Sequence, residues 1–276
     1  MAKNLPFVTR LNRTIPVLGQ KFHPRCHLLN KVRGKTVIAN PPARLSPAER
    51  DAILMRSRWF AALPAPLRHE LLDRSEIRTF RRGSWIYLQG DPPRGLWAIL
   101  EGEVSFAKVG GSGSELLFHV GGPGLWFGVL GVLTGLPLGL EITAVTDATM
   151  LHVRRKHVLE IIEREPRHVL RLVRLPLTRG IELLELAEHI VRPSPRSRVA
   201  SRLSLLWRLE REHDATAAGR PLRVSQSQVA TMTALSRQSV SRVLHELAAT
   251  GAIRVGFRQI AILDAELLDK IANTPD

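Results

Sequence analysis

The stretch SQSQVATMTALSRQSVSRVLHELAATGAIRVGFRQIAIL, residues 225–263, decides the fold of the C-terminal part of this chain. Ser225 and Gln228 have the spacing of a capping box, in which each side chain bonds the backbone N–H of the other, so a short helix is predicted to begin here. A turn of three or four residues follows, and Ser236 has the position of an N-cap for a second helix, Arg237–Ala249. Two helices joined by so short a turn form a helix-turn-helix.

The second predicted helix has two different faces. At about 100° per residue, one face is apolar and can pack on its own domain; it consists of Val240, Val243, Leu244 and Leu247. The opposite face is polar and can enter a groove; it consists of Gln238, Ser241, Arg242 and His245, with Arg237 at its edge. After Gly251, two alternating segments, 252–255 and 259–263, flank Gly256-Phe257-Arg258 and predict a β-hairpin with a basic tip at Arg258.

The residue types of this helix-turn-helix suit DNA. An arginine can read O6 and N7 of guanine with two hydrogen bonds, and a glutamine can do the same on adenine. Ser225, Gln226 and Ser236 are polar residues that can fix the position of the backbone by contacting phosphates. An ordinary amphipathic helix with a solvated arginine face is the alternative. Because cap, turn, apolar stripe and hairpin agree with one another, they favour a winged DNA-binding domain.

Residues 77–153 have the pattern of a β domain. Short apolar runs are separated by turn signals rich in glycine, which predicts an antiparallel sandwich or β-roll. The runs lie at 84–88, 96–100, 104–109 and 115–120. A helix over 154–164 and a longer one over about 166–191 are expected to follow.

The longer helix carries apolar residues at heptad spacing. They are Leu170, Val173, Leu177, Leu184, Ala187 and Val191, with Gly180 as the small member of the seam. Such a seam predicts a coiled-coil contact between two copies of the chain, and packing on its own domain is the alternative. Pro176 should kink the helix and the segment Pro193–Pro195 should end it, so both places can act as hinges.

The composition favours an anionic partner. The chain has a formal net charge of +15, and residues 1–50 hold ten of its 40 basic residues against Glu49 alone. Because the excess is concentrated near the N-terminus, net charge by itself does not identify DNA as the partner. The uncharged stretch His119–Leu140 is dense in glycine and proline, which predicts turns between strands rather than a membrane span. With no apolar secretory signal, we expect a cytoplasmic protein without a membrane partner.

These patterns together predict an α+β chain with four parts. Residues 1–44 are expected to be a basic and mobile tail, or else the product of a misplaced start site. An antiparallel β domain should occupy 45–165, a dimerisation helix and hinge 166–192, and the winged helix-turn-helix domain 193–276.

The segment Leu235-Ser236-Arg237-Gln238-Ser239-Val240-Ser241-Arg242-Val243-Leu244 resembles the recognition helix of the Crp/Fnr family of bacterial transcription regulators, and the resemblance covers about residues 46–268. It implies a homodimer in which a cyclic-nucleotide-binding-like β-roll (jelly roll) is joined by a long dimer helix to a winged domain. RNA polymerase is implied as a further partner. By this resemblance, Arg237, Gln238 and Arg242 occupy the three base-reading positions. Many members have glutamate in place of Gln238, which implies an altered preference at one base pair.

The polar residues around these readers are expected to contact the DNA backbone or to support the readers. They are Ser225, Gln226, Ser236, Ser241, His245 and Arg258.

The resemblance is weaker at the phosphate-binding cassette of the members that bind cyclic AMP. Gly128 in the run 126–129 matches its start, but Val129 stands where those members have glutamate, and Leu138 lies where arginine is expected. Since apolar residues cannot bind ribose hydroxyls or pair with phosphate, binding of cyclic AMP is not expected. A cysteine-ligated iron–sulfur cluster is not expected either, because Cys26 is the single cysteine. No cofactor is predicted, and the effector is unknown.

The apolar residues around the cassette have two readings. They are Trp126, Phe127, Leu130, Leu133, Leu136 and Leu138. A filled core is the plainer interpretation, and a pocket for an apolar effector or a partner surface is the alternative. The histidines His119, His152 and His157 are expected to be ordinary strand or surface residues rather than haem ligands.

The predicted function is a homodimeric DNA-binding transcription regulator that reads a palindromic operator through residues 236–249, with half-sites about one helical turn apart. A signal-binding module that acts through protein partners is the alternative, with the winged domain as a scaffold. An enzyme is not expected, because the sequence has no nucleophile elbow, no phosphate loop and no His-Glu-x-x-His motif.

Overall fold

The computed structural model describes residues 45–110, 115–190, 194–214, 216 and 219–274. These residues pack as two compact units. The first contains 45–110 and 121–176, and the second contains 115–120 and 177–274. The predicted tail with Cys26 and the predicted hinge residue Pro193 lie outside the described residues.

The chain segments up to residue 190 combine helices with short strands. The helices are α1 (Pro47–Leu54), α2 (Arg58–Ala61), α3 (Ala65–Asp73), α4 (Val129–Thr134), α5 (Arg155–Arg164) and α6 (His168–Ile190). The strands are β1 (Ser75–Phe80), β2 (Trp85–Tyr87), β3 (Gly95–Glu101), β4 (Val104–Val109), β5 (Glu115–Gly121), β6 (Trp126–Phe127), β7 (Glu141–Ala144) and β8 (Ala148–Arg154). The four predicted apolar runs thus coincide with β2 to β5.

The strands form two four-stranded sheets, in the orders β1-β8-β3-β6 and β2-β7-β4-β5. Strand β3 shows how the first sheet is buried on both sides. Leu96, Ala98 and Leu100 pack with the helices, whereas Trp97 and Ile99 point into a core lined by both sheets. Successive side chains of a strand point to opposite faces, so a strand covered on both faces reads as an unbroken apolar run. This arrangement is the predicted β-roll.

The glycine-rich segment 119–140 contains more than turns between strands, because helix α4 lies within it. Gly128 (φ 101°) and Gly135 (φ 70°) flank this helix in left-handed conformations. Its six residues lack the capping and charged residues that usually announce a helix, so the pattern favoured turns. Among the described residues, no helix is long and apolar enough to cross a membrane.

Helix α6 has both buried and exposed apolar residues, and the predicted dimer contact stays a prediction. Leu172 and Leu175 are buried in the helical core of the first unit. Among the side chains of α6 that the structure describes, the exposed large apolar ones are Leu170, Leu177, Ile181 and Leu184, of which the prediction omitted Ile181. Pro176 lies inside the helix as expected, while the side chain of Ala187 and all of Val191 lie outside the described part of the chain.

The second unit contains the winged helix-turn-helix. Its elements are α7 (Pro195–His213), α8 (Gln226–Thr233), α9 (Arg237–Ala249), β9 (Ile253–Gly256), β10 (Gln259–Ile262) and α10 (Ala265–Asn273). Arg202 of α7 is buried, which lowers its pKa to about 10, and its guanidinium donates to the carbonyl oxygen of Phe118. The ring of Phe118 packs against Leu205 and Leu209, so segment 115–120 is held against α7.

Candidate nucleic-acid interface

Each helix of the helix-turn-helix begins at a side-chain cap. The backbone N–H of Ser225 donates to Gln228 Oε1 at 2.8 Å, and the N–H of Gln228 donates to Ser225 Oγ at 3.2 Å, which is the predicted capping box. Ser236 Oγ accepts from the N–H of Ser239 at 3.1 Å and begins α9. Ala234 between them has φ 53°, a left-handed conformation that is uncommon for a residue other than glycine. The two helices are thus joined by three residues.

Helix α9 separates apolar from polar residues as the sequence predicts. Its buried residues are Val240, Val243, Leu244 and Leu247. Arg237, Gln238, Arg242 and His245 are exposed, and Ser241 is half-buried. Because the apolar face is fully covered, the orientation of the helix about its axis is fixed, and the same side chains always face outward.

His245 is held against its own helix. Its Nδ1 lies 2.7 Å from the carbonyl oxygen of Ser241. A carbonyl can only accept, so Nδ1 carries the proton in this contact. In the neutral ring, Nε2 is then left as an acceptor rather than a donor to phosphate.

The surroundings of the polar face favour an anion. The sequence has no acidic residue from 215 to 245, and Arg237 and Arg242 are exposed on α9, whereas Arg220 in the same range is paired with Asp214 at 3.2 Å. The N-terminus of α9 adds the partial positive charge of its unpaired N–H groups. DNA phosphates are the common anionic partner of such an exposed basic surface.

Strands β9 and β10 pair antiparallel, with Gln259 opposite Gly256 and Ile262 opposite Ile253. The turn consists of Phe257 and Arg258, which places the predicted basic residue at the tip. Sequence reasoning missed Phe257, whose side chain is 91% exposed. An aromatic residue in a two-residue hairpin turn was the available signal.

In the cassette of the first unit, Val129 and Leu138 are apolar at the two positions where the members that bind cyclic AMP have glutamate and arginine. Gly128 lies so close to β3 that a Cβ built on it would be 2.3 Å from the carbonyl oxygen of Gly95. Val129 is 3% exposed and packs in the helical core. Leu138 packs against the core lined by the two sheets, and its N–H donates to the carbonyl oxygen of Asp91 at 2.9 Å.

Aromatic rings fill the core lined by the two sheets. The Trp97 ring stacks on His152 at 3.9 Å between centroids and lies parallel to Phe127 at 6.4 Å. Trp97 Nε1 donates to the Tyr87 hydroxyl at 3.0 Å. Phe106 meets Phe127 edge-on at 5.1 Å. The filled-core reading thus fits Phe127.

The other residues of the predicted apolar lining divide between core and surface. Trp126 and Leu133 belong to the helical core. Leu138 packs with Phe127 against the sheet-lined core, whereas Leu130 and Leu136 are exposed.

His152 is a buried strand residue. Its Nδ1 lies 3.1 Å from Glu76 Oε1, and burial lowers its pKa although the Glu76 carboxylate opposes that shift. Arg154 donates to both carboxylate oxygens of Glu76 and holds the pKa of that carboxyl well below its usual range. These contacts join β1 to β8. Within the described parts of the chain, no cluster of metal-binding side chains occurs.

Two family models match this chain. The cyclic nucleotide-binding domain matches residues 77–165, and the Crp-like helix-turn-helix domain matches residues 197–271. The cyclic AMP receptor protein of Thermus thermophilus is 30% identical over 196 residues, which are 71% of this chain and 87% of that protein. The chain belongs to the Crp/Fnr family. As a Crp/Fnr protein, it is a transcription regulator with a DNA-binding helix-turn-helix.

A further relative is similar in sequence, and a solved structure is similar in fold. The CRP-like cAMP-activated global transcriptional regulator of Mycobacterium tuberculosis is 27% identical over 80% of this chain and 99% of that protein. The structure of FixK2 from Bradyrhizobium japonicum matches with a TM-score of 0.63 at 20% identity, over 73% of this chain and 99% of that one. The predicted fold class, an α+β chain with an antiparallel roll and a winged helix-turn-helix, is confirmed.

Proposed function

We propose that this Crp/Fnr protein is a homodimer that reads a palindromic operator through α9 without cyclic AMP as its effector. The observation that carries the proposal is the outward polar face of α9, with Arg237, Gln238 and Arg242 exposed opposite a buried apolar face. Each arginine can form two hydrogen bonds with a guanine, and Gln238 can form two with an adenine.

Further polar residues support the readers in this proposal. Ser225 Oγ accepts a backbone bond, which leaves its hydroxyl proton able to turn towards a phosphate. Ser236 Oγ also accepts a backbone bond and lies 2.9 Å from Ser239 Oγ, so the Ser236 proton can turn towards a phosphate when Ser239 is the donor of that contact. Gln226, Ser241, His245 and Arg258 complete the set that we assign to the DNA backbone or to support of α9. RNA polymerase is the proposed protein partner, and the cytoplasm the proposed location, since DNA is read there.

The proposed dimer contact is the exposed apolar stripe of α6. Leu170, Leu177, Ile181 and Leu184 recur at spacings of seven, four and three residues, which is the a/d pattern of a coiled coil. A second copy would cover these side chains, and two-fold symmetry would place two copies of α9 on half-sites about one helical turn apart.

We propose an effector other than cyclic AMP because of the apolar side chains in the cassette. The relatives from Thermus thermophilus and Mycobacterium tuberculosis are named for cyclic AMP. In this chain, Val129 is buried in a core and Leu138 packs on aromatic rings, so a bound phosphate would lack a paired charge. Burying it would cost several kcal/mol. Calorimetry is expected to show no binding, and micromolar affinity would contradict this part.

Selection of bound DNA from a random pool by the full chain tests the main proposal. We expect the selected site to be palindromic. The variants Arg237→Ala and Arg242→Ala should each bind that site about 10- to 100-fold more weakly than the wild type does. Lys270→Ala removes an exposed charge of α10 and is the control, expected to bind as the wild type does. Sedimentation should give a dimer for the wild type and a monomer for Leu177→Glu. If both arginine variants regulated transcription as the wild type does, the result would instead favour a signal-binding module that acts through protein partners.

A further inference from the structure

The hairpin of β9 and β10, the wing, is braced at its base. Ile253 and Ile260 are buried, and Leu222 forms a two-way backbone bridge with Ile260, at 2.8 and 2.9 Å. The N–H groups of Leu263 and Asp264 both donate to the carbonyl oxygen of Ala252. A hairpin fixed in this way holds its tip in a defined position.

The tip of the wing exposes a large apolar side chain. Phe257 is 91% exposed, the largest exposed fraction among the large apolar residues that the structure describes. Its neighbour Arg258 has φ 52°, in the left-handed region that favours glycine or asparagine. A Cβ on Gly256 would be 2.9 Å from the side chain of Gln259, so the tip is tightly closed. Backbone strain of this kind is often found at functional contacts, and a ring exposed at the same turn is available to a partner.

The charge of the wing indicates the class of partner. Residues 251–263 contain no acidic residue, while Arg254 and Arg258 are exposed on either side of Phe257. Proteins that enter the minor groove combine arginine side chains with an apolar wedge placed between base pairs. The wing has both features.

The dimensions agree with such a contact. Only three residues separate the end of α9 from the first strand of the wing. Four residues per strand give a reach of about 13 Å, to which the Phe257 side chain adds several more. Along a duplex, the minor groove lies about half a turn, roughly 17 Å, from the centre of the major groove.

We propose that Phe257 is an apolar wedge that inserts into the minor groove beside the major groove occupied by α9. The proposal rests on the proposed DNA-reading function and adds a contact to it. The wedge would partly unstack one base step in each half-site, so flexible pyrimidine–purine steps at that place would be preferred.

The test uses the full chain and the operator obtained by selection. We expect Phe257→Ala to bind about tenfold more weakly and Phe257→Leu, which keeps an apolar wedge, to bind within about threefold of the wild type. Leu263→Ala is the matched control, because Leu263 is an exposed apolar residue of the same hairpin away from its tip. Thermal unfolding should be the same for all four proteins, since neither side chain is buried.

A fluorescent base analogue reports the insertion directly. With 2-aminopurine at the wing-facing step, wild-type protein should raise the fluorescence by unstacking, and Phe257→Ala should not. Equal affinity and equal fluorescence for the two proteins would overturn the wedge. If binding were then still lost in Arg237→Ala, the proposed role of α9 would stand. A Phe257→Ala variant that binds DNA normally but fails to activate transcription would also overturn the wedge, in favour of a protein contact.

Discussion

Helices α4 and α9 offer different surfaces to a phosphate-bearing ligand. The first residue of α4, Val129, is buried in a core, whereas the first two residues of α9, Arg237 and Gln238, are exposed. Only α9 therefore offers side chains that can donate hydrogen bonds to a phosphate or a base. In this chain, the features expected of a nucleic-acid reader are complete and those of a cyclic-nucleotide site are not.

The glycine that precedes α4 has a structural role that depends on the backbone and not on a ligand. Gly128 has φ 101° and lies against the backbone of Gly95, so no other residue fits there. The need for glycine at this position thus comes from the backbone conformation and its close neighbour alone. A matching glycine is thus evidence for the fold of the roll and not for a ligand in it.

The largest expected effect is the loss of stability in Gly128→Ala, which tests whether this position requires glycine. The left-handed φ costs about 1–3 kcal/mol, and the overlap with the Gly95 carbonyl a similar amount, so the free energy of unfolding should fall by about 4 kcal/mol. Gly139→Ala is the control, because its Cβ would meet nothing within 4 Å. Urea unfolding measures both. A Gly128→Ala protein within about 1 kcal/mol of wild type would show that the close approach is not required.

The second prediction concerns the carboxyl group of Glu210 on α7, in the second unit. Burial raises the pKa of Glu210 to about 7, against the opposing effect of Arg223. The folded state therefore binds a proton more tightly than the unfolded state, whose glutamate titrates at about 4.5. The contribution of Glu210 to stability is fully present below pH 4.5 and is lost as the pH rises to 7, by about 3 kcal/mol at most.

Glu210→Gln should remove this loss, since glutamine resembles the protonated acid. We expect the variant to unfold at a higher temperature than the wild type at pH 8 and at the same temperature at pH 4.5. Glu246→Gln, at an exposed position of α9, is the control and should show no such difference. A Glu210→Gln protein that was less stable at pH 8 would mean that the carboxylate is paired rather than buried alone.

The same comparison shows which parts of the molecule the sequence could predict. The bounds of α9 agree with the prediction, because a capping serine, a 3.6-residue apolar period and a closing glycine are all local signals. The polar face of α9, opposite the apolar one, follows from the same 3.6-residue period. The exposure of Phe257 was missed although its place in a two-residue turn was a local signal, whereas the brace of the hairpin through Leu222 could not be predicted, because Leu222 is distant in sequence.

Around the cassette, local patterns were insufficient. An apolar run does not show which side chains turn into a core and which stay outside, and tertiary packing alone separates Leu133 from Leu130. Helix α4 was missed for the same reason, since its glycine bounds also suit turns. The apolar periodicity of α6 was visible, but Ile181 was omitted because the prediction placed its neighbour Gly180 in the seam.

A specificity change is the third prediction. Gln238→Glu should shift the preferred base at one position of each half-site, because a carboxylate accepts from cytosine N4 whereas an amide pairs with adenine. The discrimination should change by about 1–3 kcal/mol at that position and little elsewhere. Selection of bound DNA with both proteins measures it. An unchanged half-site would mean that Gln238 faces the DNA without reading it.

The smallest effect separates the two roles that we give to Ser236. Ser236→Ala removes the cap of α9 and should cost about 1 kcal/mol of stability, whereas Ser227→Ala on the exposed face of α8 should cost almost nothing. Ser236→Asp keeps an N-cap and places a negative charge at the helix N-terminus, so its stability should equal that of the wild type. If α9 enters DNA, the same charge meets phosphates, and operator affinity should fall about tenfold at low salt. Equal stability with equal affinity would remove Ser236 from the interface and leave the serine with the same purely structural role that Gly128 has in the roll.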